Sequence, residues 1–255
     1  MPYNSDCLLN LVSYFPSTNV EYTEIVNTIS NRLSWSINKI INFDWDQNSD
    51  RLALPFWGRN ALETLFLFLQ LKIDPYRVLT VYKIQNDPTY NVGKRAPCAI
   101  EWQDDVMGTA SPTNLWSIEN KKTVYDRAIL SKHSCEIFWV PAHNALISAI
   151  DQSTVSSTWI DELKMQNVTE FINRNRSTCQ TLFSSFSKGV HSETLIFVGN
   201  VLDDVTLKSL LADLFRVAAN FSLVSCYLTH IPCAQSVDLL LEEYVKIEEI
   251  VSNVF

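Results

Sequence analysis

Residues 54–85, LPFWGRNALETLFLFLQLKIDPYRVLTVYKIQ, carry the densest apolar run of the chain, and a single turn signal divides it. From Ala61 to Leu71 only Glu63, Thr64 and Gln70 are polar. A helix with that composition is apolar over most of its circumference, so it has to be enclosed by other helices rather than laid on a surface. Asp74-Pro75 follows, and Asp at an N-cap with Pro at the first helical position restarts a helix, here through Tyr76, Leu79 and Tyr82. The stretch therefore predicts an αα-hairpin at 58–84. Around it the expected fold is a mainly α bundle, as one domain or as two closely packed helical halves, 1–150 and 151–255.

Composition narrows the alternatives. The 255 residues are 47% hydrophobic, enough for a substantial core, and include only five glycines. Gly normally supplies about 7% of residues, so turn-rich β architectures and Gly-rich phosphate loops are both disfavoured, and neither dinucleotide nor P-loop spacing occurs. A net charge of −8 repels nucleic acid as a whole, which makes DNA an unexpected partner and points to a protein or a small ligand. MPYNSDCLLNLVSYF has no basic segment leading into an apolar one, and no run reaches the roughly 18 apolar residues that a membrane span requires. The expectation is a soluble cytoplasmic protein with no membrane contact. Six scattered cysteines without a C-x-x-C pair read as core thiols of a reducing compartment.

Helical periodicity continues on both sides of the hairpin. Thr18-x-x-Glu21 has the spacing of a capping box for a helix to about Asn42, with Ile25, Ile29, Leu33, Ile37 and Ile40 on one stripe. Residues 86–114 contain three prolines and no sustained period, so they read mostly as loop, with a short strand pair conceivable near Ala99 to Trp102. Such a loop has the makings of a lid or a partner-binding arm, and equally of a disordered insertion. A helix is expected from Leu115 to Ser131, another beyond Pro141, and one from the box Thr158-x-x-Asp161. Asp203 or Asp204 opens a helix to about Tyr227, and Ser236 opens an amphipathic terminal helix.

Chemistry-bearing residues are sparse. His133, Cys135 and His143 lack a fourth ligand at metal spacing, so neither a metal nor another cofactor is expected. Asp44, Asp46, Asp50, Asp104 and Asp105 read as solvated loop acids. Arg59 and Glu63 stand four apart in the most apolar helix, a spacing suited to a salt bridge. Trp57, Arg59 and Arg77 form a candidate ligand-binding set. Basic residues cluster as Lys121, Lys122, Arg127 and Lys132, and again as Arg174, Arg176 and Lys188 before His191.

Residues 184–193, SSFSKGVHSE, place a histidine in a Ser-rich turn between a preceding helix and a long apolar one. Over about Thr158 to Phe255 this arrangement resembles the C-terminal half of HEPN-type helical domains. In members of that family that cut RNA, an arginine or another polar residue precedes the histidine with four to six residues between. Here those positions hold Phe186, Ser185 and Ser184. The resemblance therefore implies a non-catalytic member: an interaction or regulatory component of a multi-protein system such as bacterial antiviral defence or a toxin–antitoxin pair, with a protein partner or a second copy bound. The alternative it implies is a metal-independent, dimeric ribonuclease, in which His191 acts as acid or base and Lys188 or Arg176 stabilises phosphorane charge. The remaining expectation is a small-ligand sensor built on Trp57, Arg59 and Arg77.

Overall fold

The structure is a computed structural model that describes residues 4–46, 51–93, 98–108, 127–190, 202–231 and 233–255. Among these residues all regular structure is helical, and the helices pack together as a bundle. They are α1 (Asp6–Val12), α2 (Val20–Ile41), α3 (Leu54–Ile73), α4 (Pro75–Gln85), α5 (Val140–Ile150), α6 (Thr158–Met165), α7 (Val168–Val190), α8 (Asp204–Ser225) and α9 (Val237–Val254). A 3-10 turn, Arg51–Ala53, leads into α3, and a helical turn at Lys132–Ser134 with a π-helical turn at Cys135–Trp139 leads into α5.

The hairpin forms as its sequence dictates. Leu62, Leu65, Phe66, Leu69 and Leu71 of α3 are each at most 1% exposed, and α3 touches α2, α4, α7 and α8. Asp74 accepts from the Arg77 backbone N–H at 3.0 Å, which satisfies one of the free donors at the start of α4. α4 itself buries only Val78 and Val81, so the hairpin is buried on one arm and half-exposed on the other.

The caps sit one residue from two of the expected boxes. Asn19, in an extended conformation, caps α2 by accepting from the Glu21 N–H at 2.9 Å, so Thr18 is not the cap. Ser157, also extended, caps α6 through the Ile160 N–H, so Thr158 is its first helical residue. In each case the cap is the residue that leaves helical geometry while its side-chain oxygen still reaches the first turn. Asp203 caps α8, which ends at Ser225, and Ser236 caps α9.

One hydrophobic core runs from Cys7 to Ile250 across the 150/151 boundary. α1 packs against α8 and α9, and α3 against α7 and α8, so the two halves interleave. An aromatic chain crosses the same boundary: Phe221 meets Phe66 at 5.6 Å, Trp139 at 5.0 Å and Phe171 at 6.2 Å. At Gly58 α3 comes so close to α7 that a Cβ would lie 2.7 Å from Cζ of Phe186.

Residues 98–108 depart from the loop expected there. Residues 98–101 carry no strand, and Trp102–Met107 form a π-helical turn ended by Gly108 at φ 69°. Trp102 enters the core edge-on to Phe66 at 5.2 Å and stacked on Phe183 at 4.5 Å. Burial of that ring gives the segment a reason to order that its polar composition conceals. The expected helix at Leu115–Ser131 falls largely outside the described residues. Of it only residues 127–131 are seen, and they form turns. All six cysteines are free thiols.

Candidate functional site

Three neighbouring helices and one irregular segment line the most site-like cavity. α2 and α3 are stitched together at Asn60, whose Oδ1 accepts from Arg32 Nε at 3.0 Å, Ser36 Oγ at 3.1 Å and Thr64 Oγ1 at 3.2 Å. Beyond this seam, between α2, α3, α4 and residues 98–107, lies a cavity of about 220 Å³. Leu67, Val81, Ile100, Trp102 and Val106 give it an apolar lining. Arg32, Glu63, Thr64 and Gln85 add polar groups, two of them of opposite charge. An apolar cavity with a few convergent polar groups is the usual construction of a small-molecule site, although this one lies below the usual range of about 300–1,000 Å³.

Arg59 and Arg77 do not line this cavity; they hold residues that do. Arg59 donates from Nε to Glu63 Oε1 at 3.0 Å and from Nη1 to Ser187 Oγ at 2.8 Å, with its guanidinium 4.5 Å from the centre of the Phe183 ring. It thus forms the expected i,i+4 pair, aims Glu63 and ties α3 to α7. Arg77 grips the opposite wall, donating to the Ala99 carbonyl at 2.9 Å and to both oxygens of Asp105 at 3.3 Å. Trp57 lies elsewhere on α3, edge-on to Trp35 at 6.5 Å with Lys39 Nζ 6.0 Å above its ring. The structure therefore does not bring Trp57, Arg59 and Arg77 together around one ligand.

Asp105 is the residue that composition misjudged. It is fully buried, not a solvated loop acid, and its carboxylate meets Arg127 Nε at 2.6 Å and accepts from the Glu101 N–H at 2.7 Å. A buried carboxylate needs such compensation, and two guanidiniums with one backbone donor supply it. The consequence is a wall fixed at both ends, because Ile129 N–H also bonds the Asp105 carbonyl at 2.9 Å and Leu130 N–H the Val106 carbonyl at 2.8 Å. The signal available in the sequence was the cluster of apolar residues Trp102, Val106 and Met107 on either side of it.

The residues implied by the HEPN resemblance fall apart differently. His191 lies outside the described residues, as do Lys121 and Lys122. Arg176 spends its guanidinium on the Met107 carbonyl at 3.0 Å, holding the π-helical turn against α7. Lys188 is exposed near the end of the same helix, about 18 Å further along its axis at 1.5 Å per residue, so these two cations do not converge. Among the described residues no group of three or more His, Cys, Asp or Glu side chains is placed to hold a metal. His143 is buried against Phe171 at 4.7 Å, and burial holds its imidazole pKa below the ordinary value.

A second cavity, of about 30 Å³, lies beside Tyr244, Asn220 and Asn175, which are linked by hydrogen bonds of 2.6 and 2.9 Å. That volume suits a water or two rather than a ligand. Among the described residues no helix is long and apolar enough to cross a membrane. No protein-family model, curated protein or solved structure matches this chain.

Proposed function

We propose that this protein is a non-catalytic regulatory module whose input is a small ligand bound in the α2–α3–α4 cavity. The observation that carries the reading is the cavity's construction: an apolar lining with Arg32 and Glu63 as its opposed charges. Among the described residues Arg32 has only its Nε engaged, by Asn60, and Glu63 has one oxygen engaged, by Arg59. A free guanidinium face and a free carboxylate oxygen suit a small zwitterion with an apolar body, its carboxylate on Arg32 and its ammonium on Glu63. The output is contact with a partner protein. Trp35 and Phe56 are 47% and 48% exposed on the same two helices, and Lys39, one turn beyond Trp35 and over the Trp57 ring, pairs with no carboxylate among the described residues. That combination of aromatics and a cation suits an acidic segment of the partner.

The test uses the twenty free amino acids as probes in thermal unfolding, together with native mass spectrometry of freshly purified protein. A probe present at a hundred times its Kd stabilises by about 2.7 kcal/mol. For a chain of this length that corresponds to a Tm rise of roughly 5–10 °C. The expected result is such a rise for an apolar amino acid, lost in Arg32→Met and in Glu63→Gln. No response to any probe, with no small molecule retained in the native spectrum, overturns the reading. RNA cleavage by the wild type that is lost in His191→Ala would favour the ribonuclease alternative.

A further inference from the structure

The α2–α3–α4 cavity has a polar rim and an apolar floor, and the contrast fixes which way a ligand lies in it. At the rim Arg32 and Gln85 are exposed and Glu63 is half-buried. At the floor Val81, Trp102 and Val106 are each at most 8% exposed. The uncharged polar groups are already engaged, since Thr64 donates its hydroxyl to Asn60 Oδ1 at 3.2 Å and Gln85 donates to the Cys98 carbonyl at 2.7 Å. The Trp102 indole N–H is enclosed by protein, so the ring offers the cavity carbon alone. A polar atom brought to this floor loses its water and gains no partner.

The walls are also held in place. Trp102 stacks on Phe183 at 4.5 Å and meets Phe66 edge-on at 5.2 Å. The Val106 carbonyl accepts from the Leu130 N–H at 2.8 Å, and Arg77 holds the Ala99 carbonyl at 2.9 Å. Close-packed walls of this kind resist expansion, so the cavity selects by volume.

We propose that the cavity is a size filter for a free amino acid with a four-atom apolar side chain: leucine, isoleucine or methionine. This rests on the cavity being the ligand site and adds which ligand it takes. A cavity of about 150 Å³ holds the six carbons of benzene, or about 25 Å³ for each non-hydrogen atom. The cavity of about 220 Å³ therefore holds about nine such atoms. The amino nitrogen, the α carbon and the carboxylate of a free amino acid account for five, which leaves four for the side chain. That side chain lies on Val81, Trp102 and Val106, and the head stays at the rim with its carboxylate on Arg32 and its ammonium on Glu63.

Three other amino acids calibrate the filter. Valine is one methylene short, so it should bind at least about tenfold weaker than leucine. Phenylalanine exceeds the space by three atoms, and overpacking should weaken it by at least about tenfold. Asparagine has four side-chain atoms in nearly the shape of leucine, but its amide is stranded on the floor, which should cost at least about thirtyfold.

The test is isothermal titration calorimetry of the full chain with leucine, isoleucine, methionine, valine, phenylalanine and asparagine. A second arm uses Leu67→Ala, which removes three carbons from a half-buried wall residue and so makes room for phenylalanine. Its preference should reverse, with phenylalanine about tenfold tighter than leucine. Far-UV circular dichroism checks that the variant is folded, and the wild-type series decides alone if it is not. Valine, phenylalanine or asparagine binding the wild type within about threefold of leucine overturns the size filter and leaves the cavity as a ligand site. A folded Leu67→Ala protein that still prefers leucine does the same. Absence of binding by every amino acid overturns both the filter and the cavity reading beneath it.

Discussion

Replacing Asp105 with asparagine removes one charge from the clamp that fixes the cavity wall while keeping the shape of the side chain. One oxygen, Oδ2, accepts from the Glu101 N–H at 2.7 Å and from Arg77 Nη2 at 3.3 Å, and the amide oxygen of asparagine can keep that position. The other, Oδ1, meets Arg127 Nε at 2.6 Å and Arg77 Nε at 3.3 Å. There the new NH₂ would face two donors. Charge-assisted hydrogen bonds are each worth about 1.5–3 kcal/mol net. The guanidiniums are 23% and 36% exposed, so water recovers part of that loss, and the 3.3 Å contacts are weak from the start. About 2–3 kcal/mol of local stability should disappear. The assay is native-state hydrogen exchange at the Ile129 and Leu130 amides, which bond the carbonyls of Asp105 and Val106. Protection there should fall roughly 30- to 150-fold, since each 1.4 kcal/mol is a factor of ten. Protection at Ile129 and Leu130 within about threefold of wild type would refute the clamp.

Two further substitutions probe the packing. Gly58→Ala gains about 1 kcal/mol of helix propensity. The new Cβ meets the Phe186 ring at 2.7–3.0 Å, and Phe186 is fully buried and has little room to retreat, so overpacking should win by about 1–2 kcal/mol in urea denaturation and Phe186→Leu should relieve it. Stability at or above wild type for Gly58→Ala alone would contradict the close approach. His143 tests burial through pH. Its folded pKa is lowered from 6.5 by burial, so the unfolded chain binds the proton first; its contribution is complete above about pH 6.5 and is lost as pH falls through 6.5 toward the folded value. Urea midpoints at pH 7.5 and 5.5 should show this acid loss in wild type and a smaller one in His143→Leu, and equal losses would place the imidazole in water.

Strong local signals made most of the fold legible in the sequence. The apolar circumference of 61–71, the Asp74-Pro75 restart and the three-and-four stripes of α2, α8 and α9 all correspond to observed helices. The caps of α2 and α6 slipped by one residue because Asn19 and Thr18, and likewise Ser157 and Thr158, are adjacent residues able to cap. Only backbone geometry decides which of them stops being helical. Halves drawn at residue 150 reflect order along the chain, whereas burial is settled in space, and α1 finds its partners in α8 and α9.

The cavity was harder to read because its makers are not its lining. Arg59 and Arg77 stood out as charges in or near the apolar hairpin, and both do bear on the site, one by aiming Glu63 and the other by gripping Ala99 and Asp105. A residue's exposure on a helix can be inferred from its stripe, but Asp105 lies in a six-residue π-helical turn whose period matches neither helix nor strand templates. Its burial follows from its neighbours. Trp102 and Val106 carry the turn into the core and take Asp105 with them, and the carboxylate can remain there because Arg77 and Arg127 arrive from two other segments of the chain. No window along the sequence contains all three. The same holds at the end of α8, where Lys72 and Ser225 are 153 positions apart in the chain and meet only because α3 and α8 pack together. In a bundle assembled from clear amphipathic helices, the groups with chemical potential are those brought together by long-range packing, and each stays buried only while its distant partner is in place.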